Sequence, residues 1–258
     1  MRDFTLLMYD RLLRAIYRSG YHTVPMSDFI ENKLWKRKGL NCVLRHDIDK
    51  NITSSLKTAI LECEYGFKAT YYVRYIKGVY DIDILKQIET IGHEIGFHYE
   101  TLDKTRGDIT KAYKLFKSEL AYIRKDFLIR TACMHGYPLN PWRNIDIWKK
   151  YDYKKINIVG EPYLDVDYSK VAYFTDTGRC WNSRARVKDY VPSGNINEKL
   201  NLNPESTLDL IDIIEFRMVD NIIILTHPNR WSDSRFKWLT EYSVQKFKNL
   251  GKRLLGMH

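Results

Sequence analysis

Five short stretches carry residues able to do chemistry, and each follows or ends a run of apolar, strand-like sequence. The first is Arg45-His46-Asp47-Ile48-Asp49. Alternation along a strand puts positions 45, 47 and 49 on one side. Two carboxylates two residues apart can divide the work: one ligates a hard or borderline metal, the other stays free as a base. The second is residues 92–100 (GHEIGFHYE), a strand ending in His98, with Glu100 two residues on and His93 just ahead of it. The third, residues 133–138 (CMHGYP), ends an apolar strand in His135 on a glycine turn. The fourth, residues 175–182 (TDTGRCWN), sets Asp176, Arg179 and Trp181 close together. Such a group suits sugar recognition, because Trp offers a stacking face and Arg grips carboxylate or phosphate. The fifth, residues 225–231 (LTHPNRW), presents His227 where Pro228 ends a strand. Histidine is the natural proton donor near neutral pH.

Each stretch alone also reads as an ordinary strand end: an Asp helix cap, a glycine turn, a backbone-bonded histidine or an Asx-turn. Together they deliver His or Asp to the ends of four separate strands. In α/β barrels that rim carries the active site. Catalytic zinc usually takes three protein ligands and keeps one position for water. Asp49 and His98 are the firmest candidates for such a site.

The elements needed to position these residues alternate. An apolar stripe at Phe4, Leu7, Met8, Leu12, Ala15 and Ile16 predicts a helix over 3–19, stopped by Gly20. Strands are expected at 41–47, 68–74, 94–98, 130–135, 171–175 and 222–227. Helices are expected from Asn51 as cap to Glu64, from Asp81 to Ile91, over 107–125, from Pro204 to Phe216, and over 232–250. Strand–helix alternation implies a parallel sheet covered on both sides. Count and length favour an incomplete barrel of one domain over 1–258, with a helical segment about 1–38 leading it.

Composition narrows the class. The chain has 258 residues, 44% hydrophobic and 29% charged, which excludes a disordered or fibrous protein. No apolar run approaches the roughly 20 residues of a membrane helix. The opening residues Met1-Arg-Asp-Phe-Thr lack an apolar signal core, so a cytoplasmic protein without membrane insertion is expected. Cys42, Cys63, Cys133 and Cys180 form no Cys-x-x-Cys pair and read as reduced thiols. The net charge of +10 suggests an anionic partner. Nothing resembles a nucleic-acid-binding signature, so no nucleic acid is expected.

The motifs RHDID (45–49), ATYYV (69–73), GHEIGFHYE (92–100), MHGYPL (134–139), YFTDTGRCW (173–181) and LTHPNRW (225–231) resemble those of the polysaccharide deacetylases of carbohydrate esterase family four, the NodB-homology superfamily. The chain is most similar to the branch with a His-Asp-x-Asp signature found in bacterial surface-polysaccharide gene clusters (the WbmS type). The resemblance implies a distorted (β/α) barrel of about seven parallel strands and a divalent metal, commonly zinc. It implies Asp47 as general base, Asp49 and His98 as metal ligands, and His227 as general acid. The family's second metal His falls four residues after the first, where this chain has Leu102. The third ligand is therefore open between His135, Glu100 and water.

The expected activity is metal-dependent hydrolysis of an N-acetyl group on a sugar or oligosaccharide, a hydrolase reaction at a C–N bond other than a peptide bond. A nucleotide- or lipid-linked sugar would suit the positive charge. Arg45, Asp176, Arg179, Trp181 and Trp231 are the expected substrate contacts. Two alternatives stand beside it: another amide hydrolase on the same fold, and a catalytically degenerate glycan-binding protein.

Overall fold

The computed structural model describes residues 2–137, 139–181 and 189–254; Pro138 of the third motif and Asn182 of the fourth lie outside the described residues. In chain order the elements are α1 (Leu6–Arg18), β1 (His22–Thr23), α2 (Met26–Glu31), β2 (Asn41–Ile48), α3 (Ile52–Glu64), β3 (Ala69–Val73), α4 (Ile82–Thr90), β4 (Glu94–Tyr99), α5 (Thr101–Lys104), α6 (Ile109–Ile123), β5 (Ala132–Met134), α7 (Pro162–Asp165), β6 (Ala172–Thr175), α8 (Ile196–Lys199), α9 (Thr207–Glu215), β7 (Asn221–Thr226) and α10 (Arg235–Leu254).

The strands form one parallel sheet in the order β5-β4-β3-β2-β7-β6, with β1 paired to the start of β2. The sheet curls into a half-barrel with helices around it, as the alternation predicts. It does not close by strand pairing between β5 and β6 among the described residues. Instead residues 159–160 run beside β5, where the Val159 amide donates to the Arg130 carbonyl at 2.7 Å and the Ala132 amide to the Gly160 carbonyl at 3.2 Å.

Local chemistry explains the framework. Thr5 caps α1 by accepting from the Met8 amide, and Met8, Tyr9, Leu12, Leu13 and Ile16 form its buried stripe. Asp81 caps α4 as its sequence predicts. Asn51 does not cap α3: it takes a left-handed backbone with no side-chain bond to the helix. The helix expected from Pro204 begins at Thr207 instead, because Ser206 and Asp209 form a reciprocal capping box. Strands β2 and β7 lie inside the sheet, each paired on both edges, and are buried along their length, which is why Ile222 to Leu225 read as an unbroken apolar run. Gly96 on β4 makes room for a neighbour: a Cβ there would sit 2.5 Å from the Tyr72 ring. All four cysteines are free, and Cys63 is exposed.

Candidate active site

Strands run parallel, so their carboxyl ends share one rim. Arg45 and Asp47 come from β2, with Asp49 just beyond it. His98 lies on β4 and Glu100 just after; His135 follows β5, Asp176 follows β6 and His227 follows β7. The rim expected from the sequence is therefore assembled.

At its centre Asp49 Oδ1 lies 3.5 Å from His98 Nε2 and 3.6 Å from His135 Nε2. Asp49 Oδ2 lies 3.7 Å from His227 Nε2. His98 Nδ1 sits 3.0 Å from the Cys133 carbonyl. A carbonyl only accepts, so Nδ1 carries a proton; burial works against the imidazolium, but Asp47 and Asp49 outweigh it and raise the His98 pKa. Asp49 Oδ1 is buried with no hydrogen-bond partner; 3.5 Å to an off-line ring nitrogen does not satisfy it. Burial works against the Asp49 charge, but His135, His98 and His227 hold its carboxyl well below the ordinary range. Burial pushes His135 down to about 4, leaving a neutral imidazole at neutral pH.

Asp47 flanks this centre, its Oδ2 3.6 Å from His98 Nε2. Arg45 clamps it from below: Nε donates to Oδ1 at 2.9 Å and Nη2 to Oδ2 at 2.8 Å. Burial opposes the Asp47 charge, and Arg45, with lesser help from His98 and His227, outweighs it and holds the carboxyl low. His227 Nδ1 lies 2.6 Å from Asp176 Oδ1. Asp176 also accepts from the His227 amide at 2.9 Å, Arg230 Nη1 at 2.9 Å and Trp231 Nε1 at 2.8 Å. Four contacts on Asp176 thus hold one imidazole in one orientation.

Several expected substrate contacts are corrected by burial. Arg45 is fully buried and lies against the Tyr163 ring at 4.8 Å and the Tyr72 ring at 5.5 Å; its work is on Asp47. Asp176 is fully buried and holds His227. Trp181 is fully buried, packed against Phe4 and Trp231, and donates to Thr207. Trp231 is 2% exposed and packs on Phe4 and Tyr9. Neither indole has a face free for a sugar. Arg179 lies over the Phe4 and Trp238 rings at 5.4 and 5.1 Å, its three guanidinium nitrogens buried, so it does not reach into the rim as an open anion clamp.

Of the side chains expected as third ligand, His135 faces Asp49 and Glu100 does not. Glu100 spends its carboxylate on Arg74 at 2.5 Å and Lys104 at 3.6 Å, and meets the centre only behind His135, 3.6 Å from its Nδ1. Arg74 also donates to the Asp49 carbonyl at 3.2 Å. Sequence reading missed it, although it ends the 68–74 strand as the other rim residues end theirs. Arg230 was within a motif but without a role.

The family resemblance implies a divalent ion, and the donor chemistry suits one. A carboxylate oxygen without a partner faces two imidazole nitrogens, one fixed by a carbonyl behind it. The types fit zinc. Among the described residues no three His, Cys, Asp or Glu side chains already close as a finished metal cage, so the fit is one of donor type and an orphaned oxygen. No family model matches the chain, and no curated protein matches it significantly.

Proposed function

We propose that this rim is the active site of a metal-dependent hydrolase that removes the acetyl group from an N-acetylated sugar. The observation that carries the reading is the pairing of two clamped groups around one orphaned oxygen. Asp47, held by Arg45, lies beside His98, which faces Asp49 Oδ1, and His227, held by Asp176, lies beside Asp49 Oδ2. A carboxylate and an imidazole at one centre can divide base and acid between them.

Asp49, His98 and His135 would hold the divalent ion, zinc by donor type, and when bound it would polarise the acyl carbonyl and acidify water. Asp47 stays ionised because Arg45 donates twice to it; it orients the attacking water and takes its proton. His227 keeps Nδ1 on Asp176, so Nε2 faces the reacting centre. It delivers its proton to the departing sugar amine, and Asp176 stabilises the imidazolium that precedes this transfer. Arg45 and Asp176 act through their partners and touch no substrate.

Release of acetate from free, nucleotide-linked and lipid-linked N-acetylhexosamines tests this reading and separates it from other amide hydrolysis. The wild type with zinc should turn over at least one carrier form. Asp47→Asn and His227→Ala should each lower the rate by roughly 10²–10⁴. Full rates in both variants would remove these roles; sugar binding without any acetate release would favour the degenerate glycan binder. A cytoplasmic protein acting on a carrier-linked sugar before export fits the reading. No helix of the described residues is long and apolar enough to cross a membrane.

A further inference from the structure

We propose that α10 is a membrane-surface element that seats the protein on anionic phospholipid, lying in the headgroup layer without crossing it. Helices of folded domains normally turn their apolar stripe to the core. Here the arrangement is reversed. Trp238, Glu241 and Gln245, at helical spacing, are the partly buried residues of the described part. Trp238 anchors the helix by donating to the Asp3 carbonyl at 2.7 Å, stacking on Tyr242, and receiving Arg2 and Arg179 on its ring. Phe236, Leu239 and Val244 point away, exposed at 79%, 56% and 46%. The sequence continues their period with Phe247, Leu250 and Leu254.

Charge decides what covers this face. Over 235–254 the sequence has six basic residues, Arg235, Lys237, Lys246, Lys248, Lys252 and Arg253, against the single acid Glu241. A second copy would bring the same surplus to the contact and be repelled. An anionic bilayer accepts both features: apolar side chains enter the headgroup boundary and flanking cations meet lipid phosphate. The helix begins nine residues after β7, at the rim that carries His227. The Arg179 amide donates to the Asp176 carbonyl at 2.8 Å, linking the helix's foot to the same rim. Docking would therefore bring the site's end of the barrel to the lipid surface. The inference does not rest on the hydrolase reading, and its test uses no activity.

Flotation with phosphatidylcholine vesicles, with and without phosphatidylglycerol, reads it directly. The full chain should float only with the anionic vesicles, and added salt should release it. Phe236→Glu with Leu239→Glu should weaken flotation at least tenfold while circular dichroism is unchanged. Lys246→Gln should weaken it about fivefold, one cation's worth at a charged surface. Leu128→Glu, an equally exposed leucine ahead of β5 and so at the sheet's other end, should float like wild type. Equal flotation with pure phosphatidylcholine, or none with anionic vesicles, would overturn the proposal. So would a wild-type dimer that Phe236→Glu with Leu239→Glu makes monomeric without any vesicle binding.

Discussion

Behind β2, Glu62 of α3 accepts hydrogen bonds from Tyr9 and, at 2.8 Å, from Tyr71, with His46 Nε2 2.6 Å away and His93 Nδ1 3.7 Å away. In front of the same strand, Asp49 meets His98, His135 and His227 at 3.5 to 3.7 Å. Both clusters set an acid among histidines, and β2 supplies alternate residues to each. Behind, His46 Nε2 alone of these atoms lacks an aligned hydrogen bond, and it still sits 2.6 Å from a Glu62 oxygen. His46 Nδ1 is 2.7 Å from Thr226 Oγ1. His93 donates from Nε2 to the Ala59 carbonyl and accepts the Ala69 amide at Nδ1. In front, Asp49 Oδ1 and His135 Nδ1 are buried without a hydrogen-bond partner. An unpartnered buried polar atom costs about 1–3 kcal/mol. A chain carries that cost where function uses the atom. The same residue types are thus structural on one face and chemically open on the other.

The sharpest way to break this contrast is to delete the acid on each side. Glu62→Ala leaves buried partners uncompensated and should cost about 3–5 kcal/mol of unfolding free energy. Asp49→Ala, in the presence of chelator, should cost clearly less, since no hydrogen bond is lost and relief of a buried charge offsets the lost attraction to the histidines. Urea titrations giving equal losses would mean that the front is structural too.

Zinc should distinguish the faces next. At 100-fold above its dissociation constant it should add about 2.7 kcal/mol to the wild type. The gain should vanish in Asp49→Ala and His98→Ala and persist in a back-face variant such as His93→Gln. A melting-temperature shift retained in Asp49→Ala would take the ion away from this centre.

Acid should act on the front through His135. Its folded pKa is pushed down to about 4 by burial, against about 6.5 unfolded. Above pH 6.5 neither state holds the proton and no contribution changes. Between 6.5 and about 4 the unfolded chain holds it and the folded one does not, so stability falls as pH falls, by about 1.4 kcal/mol per unit. Chelated His135→Asn should lose that component of the slope; an unchanged slope would place the titration elsewhere.

Ser206→Ala calibrates the rest. It removes only the α9 cap and should cost about 1 kcal/mol, leaving the zinc shift intact. Loss of the zinc shift here would mean that the front responds to general loosening, not to its own donors.

The rim was legible residue by residue because its signals are local. Alternation puts Asp47 and Asp49 on one side of β2, and Gly136 and Pro228 mark where strands end beneath His135 and His227. The supporting shell was not. Glu62 sits in the last turn of α3 with no strand-end signal, and Asn51 looks like a cap but adopts a left-handed turn.

Alone, the sequence determined the order of strands and helices and which strand ends carry acids and histidines, since turn chemistry and periodicity act over a few residues. Only the tertiary structure decided which of those groups remain open. Arg45, Asp176, Trp181 and Trp231 have the types of substrate contacts, yet packing from several distant elements buries each against a partner. Phe236, Leu239 and Val244 have the types of core residues, yet α10 turns them outward. Burial is a sum over neighbours far apart in the chain, and no local pattern contains that sum.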